Sequence, residues 1–326
     1  MKVISRQWLL AAGASGVLVF GLGACGDDEE GGSGEVEGPE GLTGQIALDG
    51  SSTVQPFAEA AVELFVEGNP DVDITVGAAG TSGGFEKFCA GETDISNASR
   101  PIDEEEEVPA CEDGGVEYTE VPVANDGIAI ATNPGLEISC LTTEQLEMLW
   151  ADETVTNYAD LGDDAETGEA LPDADVSLYG PGTDSGTFDY FTDAINGEEG
   201  KSRSDYQASE DDNQLVSGVA GDEAGLGYFG FSYFEQAADT LNLVAVDSGD
   251  GCVEPSAEAI SSGDYAPLSR PLFMYPSADA LGDEATAGFM QFVVDNYDTI
   301  AEGALIVPLD ETQAEDAASA LEGAGS

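Results

Sequence analysis

The chain has no histidine and very few basic residues. Among its 326 residues, seven Lys and Arg stand against 67 Asp and Glu, which gives a formal net charge of −60 at pH 7. Without histidine, the Ser-His-Asp and Cys-His catalytic groupings and the His-containing zinc sites are excluded. The charge opposes binding to nucleic acid and to anionic lipid surfaces, and it is typical of an acidic surface adapted to high salt. Any site for an anion must therefore act through short-range hydrogen bonds.

Long apolar runs are also scarce, and the clearest one lies at the N-terminus. Lys2 and Arg6 precede a mostly apolar segment from Trp8 to Phe20, which is too short to span a membrane as a helix. Residues 1–25 are therefore predicted to be an export signal, and Leu22-Gly23-Ala24-Cys25 resembles the lipobox of bacterial lipoproteins. In that case Cys25 becomes the lipidated first residue and holds the protein on the outer face of the cytoplasmic membrane. A signal with plain cleavage is the alternative.

The rest of the chain divides into a tether and a folded part. Residues 26–42 are rich in Gly, Asp and Glu with almost nothing apolar, which predicts a flexible acidic tether. From about Thr43 onward, apolar strand patterns alternate with helical patterns. This alternation predicts an α/β fold with mainly parallel sheets.

Cysteine is sparse as well. Apart from Cys25, the chain has Cys89, Cys111, Cys140 and Cys252. In an exported protein these are expected to form disulfides, and pairing of neighbouring cysteines within the same expected lobe favours Cys89–Cys111 and Cys140–Cys252. Metal ligation is a poor alternative because the chain has no Cys-x-x-Cys pair.

The most informative stretch runs from Gly180 to Phe191. It follows an apolar run, residues 176–179, and precedes an amphipathic one, so it predicts a strand, a Gly-rich turn and a helix start. Such a turn presents backbone N–H groups, the hydroxyls of Ser185 and Thr187, and the positive end of a helix dipole to one point, where an anion can bind. The alternative is a capped helix with no ligand.

Two further turns of the same composition lie upstream and favour the anion site. Residues 49–54 follow a predicted first strand and precede a helix that runs to about Val66. Residues 77–84 follow the next strand and precede a short helix at residues 85–90.

Arg100 follows a short predicted strand in the sequence Ser99-Arg100-Pro101. Its planar guanidinium suits a tetrahedral oxyanion, and we favour that role. A surface ion pair with one of the many carboxylates is the alternative.

Three stretches together resemble the PstS family, the phosphate-binding proteins of bacterial high-affinity phosphate ABC transporters. They are residues 50–54 (GSSTV), residues 89–102 (CAGETDISNASRPI) and residues 180–191. Asp211-Asp212-Asn213 and residues 225–228 (GLGY) are similar too. The resemblance covers roughly residues 44–308.

The resemblance implies a two-lobe fold of the periplasmic-binding-protein type (type II), hinged over a ligand in the cleft between the lobes. Lobe I would comprise residues 43–124 and 267–326, and lobe II residues 125–266. The implied function is capture of inorganic phosphate by a monomer. The phosphate would then be delivered to the permease and ATPase subunits of the importer, with no catalysis, cofactor or metal.

The resemblance also implies a set of ligands. The residues expected to bind phosphate are Ser52, Thr53, Val54, Thr81, Ser82, Ser99, Arg100, Asp184, Ser185, Gly186 and Thr187, with Asp212 as a further candidate. Many family members have an Asp where Ser99 stands and an Arg where Pro181 stands. We therefore expect Arg100 to supply the positive charge and Asp184, or else Asp212, to accept the phosphate proton.

Other functions remain open at this point. Within the binding class, sulfate and molybdate are the alternative ligands. An exported phosphatase would need Ser185 or Ser52 as nucleophile and Lys87 or Lys201 as base, none of which are neighbours in sequence. A structural or cation-buffering acidic protein would leave the three turns unexplained.

The expected proton acceptor can be tested by mutation. Hydrogen phosphate carries a proton to donate, whereas sulfate at neutral pH has none, so a buried carboxylate accepts from the first and repels the second. Asp184→Asn should relax the preference for phosphate over sulfate far more than Asp212→Asn. Calorimetric titration with both anions measures this, and an unchanged preference in Asp184→Asn removes Asp184 from the role.

Overall fold

A β-sheet lies at the centre of the protein. The structure is a computed structural model that describes residues 36, 38–151, 153–183 and 185–324. The predicted export signal and lipobox with Cys25, most of the predicted tether, and Asp184 lie outside these residues. Among the described residues, no helix combines the length and apolar character needed to cross a membrane.

The described residues form eleven α-helices and two short 3-10 helices, at Tyr158–Leu161 and Ala280–Gly282. The α-helices are α1 (Gln55–Gly68), α2 (Thr81–Cys89), α3 (Glu107–Gly114), α4 (Thr143–Ala151), α5 (Gly186–Asn196), α6 (Asp212–Gly221), α7 (Phe231–Ala237), α8 (Ala257–Ser261), α9 (Glu284–Asp295), α10 (Tyr297–Gly303) and α11 (Glu311–Ala324). The strands are β1 (Thr43–Gly50), β2 (Asp71–Val76), β3 (Ile95–Ala98), β4 (Val121–Thr132), β5 (Cys140–Thr142), β6 (Ser177–Gly180), β7 (Gln207–Ala208), β8 (Gly225–Gly230), β9 (Asn242–Asp247), β10 (Cys252–Val253) and β11 (Ser269–Pro276).

The sheet is mixed, with the strand order β2-β1-β3-β11-β4-β8-β6-β7 and with β9 joining β4 to β5 and β10. Strand β1 is parallel to β2 and β3, and β6 is parallel to β7 and β8. Strand β11 is antiparallel to β3 and β4, and β4 is antiparallel to β8. The α/β class is confirmed, but the prediction of mainly parallel sheets is wrong, because β4 and β11 run in opposite directions between the two parallel groups.

Strand β4 runs for 12 residues through the polar positions Asn125 and Asp126. Asn125 is buried, and its side-chain amide exchanges hydrogen bonds with that of Gln313 on α11 at 2.9 Å each way. Because the buried amide is paired, the polar residue does not break the strand.

Two large hydrophobic clusters lie along the sheet. One gathers residues of β1, β2, α1, α9 and α11, and the other gathers residues of β6, β8, β9, α4 and α5. Strand β4 contributes Ala124 to the first cluster and Ile128 to the second. The core therefore changes next to the position where the lobe boundary is predicted; the boundaries themselves stay a prediction.

Both predicted disulfides are present. Cys89–Cys111 joins α2 to α3, and Cys140–Cys252 joins β5 to β10. The second bridge spans 112 residues, all within the second half of the sheet.

Candidate functional site

The three Gly/Ser/Thr turns meet around one cavity of about 520 Å³. Of the predicted ligands, seven line it: Ser52, Thr53, Thr81, Ser82, Ser99, Arg100 and Gly186. Val54, Ser185 and Thr187 adjoin these residues in the chain without lining the cavity, and Asp212 lies outside its lining. The predicted convergence of the turns is therefore observed.

The first turn is held against β3 by a glycine. Gly50 has φ = +140°, and a Cβ atom there would lie 2.1 Å from the Asn97 carbonyl oxygen. The next N–H group, that of Ser51, donates to the same oxygen at 2.9 Å. This close approach sets the β1–α1 turn beside the end of β3, where Ser99 lies.

The second turn forms the N-terminus of α2. The helix begins at Thr81, four residues before the predicted start at Phe85, so Thr81 and Ser82 lie in its first turn. Backbone N–H groups of a first turn lack partners within the helix and carry the positive end of its dipole. The Thr81 hydroxyl hydrogen-bonds the Ser99 hydroxyl at 3.1 Å and accepts from the Ser99 N–H at 3.2 Å, which ties this turn to the end of β3.

The third turn follows β6, so it reaches the site from the parallel group formed by β6, β7 and β8. Ser185 is the N-cap of α5, and its hydroxyl accepts from the Thr187 N–H at 3.2 Å, so this hydroxyl has the capping role of the alternative interpretation. Gly186 makes the contact with the first turn. A Cβ atom at Gly186 would lie 2.6 Å from the Thr53 hydroxyl oxygen and 2.9 Å from that of Ser52.

Arg270 is a candidate site residue that sequence reasoning missed. It lies on β11, lines the cavity, and donates from Nη2 to the Thr53 hydroxyl at 3.0 Å. Its Nε donates to Asp126 on the paired strand β4 at 3.2 Å, and its guanidinium lies 3.6 Å from the centre of the Tyr190 ring. Carboxylate and ring together orient the guanidinium toward the first turn.

Arg100 has a different environment. Its two terminal nitrogens donate to the Glu107 carboxylate at 2.7 and 2.8 Å, and one of them also donates to the Ser82 hydroxyl at 2.9 Å. The Glu107 carboxylate raises the pKa of Arg100 by hydrogen bonding. The ion pair named as the alternative is thus present, while Arg100 still lines the cavity, and its role as a ligand stays a prediction.

A signal for Arg270 exists in the sequence. The tripeptide Ser99-Arg100-Pro101 recurs as Ser269-Arg270-Pro271, and the chain has only five basic residues after Cys25. Strand β3 ends just before the first tripeptide, β11 begins with the second, and the two strands are neighbours in the sheet.

Carboxylates lie on the α5 side of the cavity. Asp189, Asp193 and Glu199 line it together with Arg270. Burial and the nearby Glu199 raise the pKa of Asp189, while Arg270 lowers it. A bound anion would therefore meet hydroxyls, N–H groups and a guanidinium on one side and carboxylates on the other.

Asp212, the further candidate, lies in the first turn of α6 and is mostly enclosed. Burial raises its pKa to about 6; the Gly230 N–H, 3.4 Å away, lowers it, and the charges of Asp211, Asp126 and Glu210 raise it further. Asp212 therefore has a raised pKa but does not line the cavity.

The Asp212 pKa predicts how stability depends on pH. Because the folded state holds this proton up to about pH 6 and the unfolded chain releases it near pH 4, the group makes the protein less stable as pH rises through that window. Asp212→Asn should raise the free energy of unfolding at pH 7.5 by about 1 to 3 kcal/mol, with a much smaller gain at pH 4. Denaturant unfolding at constant high salt measures both values. Asp239→Asn, the same change on an exposed side chain, is the control, and an equal effect of Asp212→Asn at both pH values would contradict the assignment.

Comparison with known proteins agrees with this geometry. Residues 35–296 match the family model described as the PBP superfamily domain. Protein SphX of Synechocystis is 42% identical over 300 residues, which cover 90% of this chain and 84% of that protein. The phosphate-binding protein PstS of Staphylococcus saprophyticus is 37% identical over 310 residues, which cover 93% and 91%.

Solved structures agree as well. A crystal structure described as that of a possible phosphate binding protein from Planctomyces limnophilus is 39% identical, with a TM-score of 0.79, and the match covers 87% of this chain and all of that one. The resemblance seen in three short stretches of sequence thus extends over most of the chain. The protein belongs to the PstS phosphate-binding proteins of the PBP superfamily.

Proposed function

We propose that the protein captures inorganic phosphate outside the cytoplasm and delivers it to an ABC-type phosphate importer. The observation that carries the proposal is the convergence of the N-termini of α1, α2 and α5 with Arg270 around one cavity. Backbone N–H groups at helix N-termini, small hydroxyls and one guanidinium are the donors that a tetrahedral dianion requires. The family of the chain supports the same ligand.

The acidic surface is compatible with an anionic ligand when the salt concentration is high. The screening length of electrostatic interactions is about 8 Å at physiological ionic strength and about 3 Å at 1 M salt. Repulsion from distant carboxylates is then largely screened, while hydrogen bonds made at contact distance persist. We therefore infer that the protein binds phosphate in a salty medium, in keeping with its acidic composition.

The strands that connect the two parallel groups also carry the site. Arg270 on β11 and Asp126 on β4 are opposite each other in the strand pairing, and Arg270 contacts Thr53 of the first turn. Closure over phosphate would act on this pair of strands, because the ligand and the connection between lobes share them. This supports a hinge in β4 and β11.

The location follows from the export signal. We infer that Cys25 is lipidated and anchors the protein, as a monomer, to the outer face of the cytoplasmic membrane, with the acidic segment as a tether. Mass spectrometry of the mature N-terminus tests this, since a Cys25 without an acyl chain would contradict it.

Titration calorimetry of the mature protein in high salt tests the function. We expect saturable one-to-one binding of phosphate that is much tighter than binding of sulfate or molybdate, and no turnover of a chromogenic phosphate ester. Absence of phosphate binding, a preference for another oxyanion, or turnover of the ester would each overturn the proposal.

Gly186 offers a specific test of enclosure by the two turns. Because a Cβ atom would lie 2.6 Å from the Thr53 hydroxyl oxygen, Gly186→Ala should push the turns apart and weaken phosphate binding by about tenfold or more. Gly221→Ala is the matched control, since a Cβ atom there has no neighbour within 4 Å. Calorimetry compares the two variants, and equal phosphate affinities would show that the observed contact does not form around the ligand.

A further inference from the structure

A carboxylate in the first turn of α5 bears on the choice of anion, given the proposed phosphate function. We propose that Asp189 is a specificity-determining residue, whose carboxylate accepts the hydrogen bond of the protonated phosphate oxygen and thereby excludes sulfate. This assigns to Asp189 the role that sequence analysis gave to Asp184, with Asp212 as its alternative.

The position of Asp189 follows from two contacts that flank it. Three residues earlier, Gly186 lies against Ser52 and Thr53 of the opposite turn. One residue later, the Tyr190 ring lies 3.6 Å from the guanidinium of Arg270, which itself donates to Thr53. Asp189 lines the same cavity as the residues that make these two contacts.

Two other nearby carboxylates are already engaged, and a third lies outside the cavity lining. Asp126 accepts from Arg270, and Glu107 accepts from Arg100. Asp212 lies outside the cavity lining and faces the Gly230 N–H. Asp193 and Glu199 line the cavity as well, but Asp189 is the one nearest in sequence to Gly186, which meets the first turn.

The Asp189 carboxylate can accept a further hydrogen bond. Among the described residues, no donor is hydrogen-bonded to its side chain, while its N–H donates within the helix to the Ser185 carbonyl at 3.1 Å. Burial and Glu199 raise its pKa, as expected for a carboxylate that lacks a donor. Hydrogen phosphate supplies that donor from its own P–O–H group.

Sulfate cannot supply this donor. At neutral pH it has no proton to donate, so its oxygen would face the Asp189 carboxylate with like charge and no hydrogen bond. The discrimination arises from this repulsion as much as from the bond to phosphate. Ser99 stands where many family members have an Asp. Because its side chain is neutral, this position supplies no carboxylate.

The test compares Asp189→Asn with the wild type by calorimetric titration of phosphate and sulfate at pH 7.5 and constant high salt. Asp189→Asn should lower phosphate affinity by about 10- to 100-fold and raise sulfate affinity, because the amide can donate to sulfate. Glu198→Gln is the control: it removes one charge from an exposed side chain just after α5, and its affinity ratio should stay within about fivefold of the wild type.

A second variant separates the loss of the carboxylate from the gain of an amide donor, and a fluorescence measurement checks that each variant is folded. Asp189→Ala removes the carboxylate without adding a donor, and it should also reduce the preference for phosphate. The fluorescence of Trp150, whose ring packs 5.7 Å from Phe191 of α5, reports whether the helix is in place in each variant.

The outcomes separate this inference from the proposed function. If the wild type binds phosphate but folded Asp189→Asn and Asp189→Ala keep its preference over sulfate, the role of Asp189 is overturned and the function stands. Loss of preference in Asp184→Asn or Asp193→Asn, with Asp189→Asn unchanged, would move the role to those residues. A wild type that does not bind phosphate overturns the function itself.

Discussion

The contact between Gly186 and Thr53 is the constraint on which the site depends. A side chain at Gly186 would overlap the Thr53 hydroxyl, and Arg270 donates to that same hydroxyl. Thr53 thus meets both the N-terminus of α5 and the Arg270 guanidinium on β11. Gly50 permits this arrangement, because its positive φ lets the first turn lie directly on the end of β3.

Positive charge is so scarce that its placement is informative. Four of the five basic residues after Cys25 form ion pairs: Lys87 with Asp49, Arg100 with Glu107, Arg203 with Asp205 and Arg270 with Asp126. Both guanidiniums that line the cavity, those of Arg100 and Arg270, are shared with a carboxylate, which makes neutral donors at helix N-termini more important for an anion there. This explains how a chain with a formal charge of −60 can present a cavity for an anion.

Local chemistry was readable from the sequence, whereas long-range pairing was not. The three turns and the Cys89–Cys111 disulfide follow from residue types at short spacing, and Cys140–Cys252 is the cysteine pair that then remains. Arg270 was missed because antiparallel pairing of β11 with β3 and β4 brings it to a turn more than 200 residues earlier in the chain. Strands β5, β7 and β10 have two or three residues each, too few to show a periodic pattern.

A crystal structure of the mature protein grown with phosphate tests the central claim most directly. The account predicts one anion within hydrogen-bonding distance of the Thr53 hydroxyl, the Gly186 N–H and the Arg270 guanidinium, with the turns of both halves closed around it. An anion bound elsewhere, or a phosphate that contacts the turns of one half alone, would contradict it.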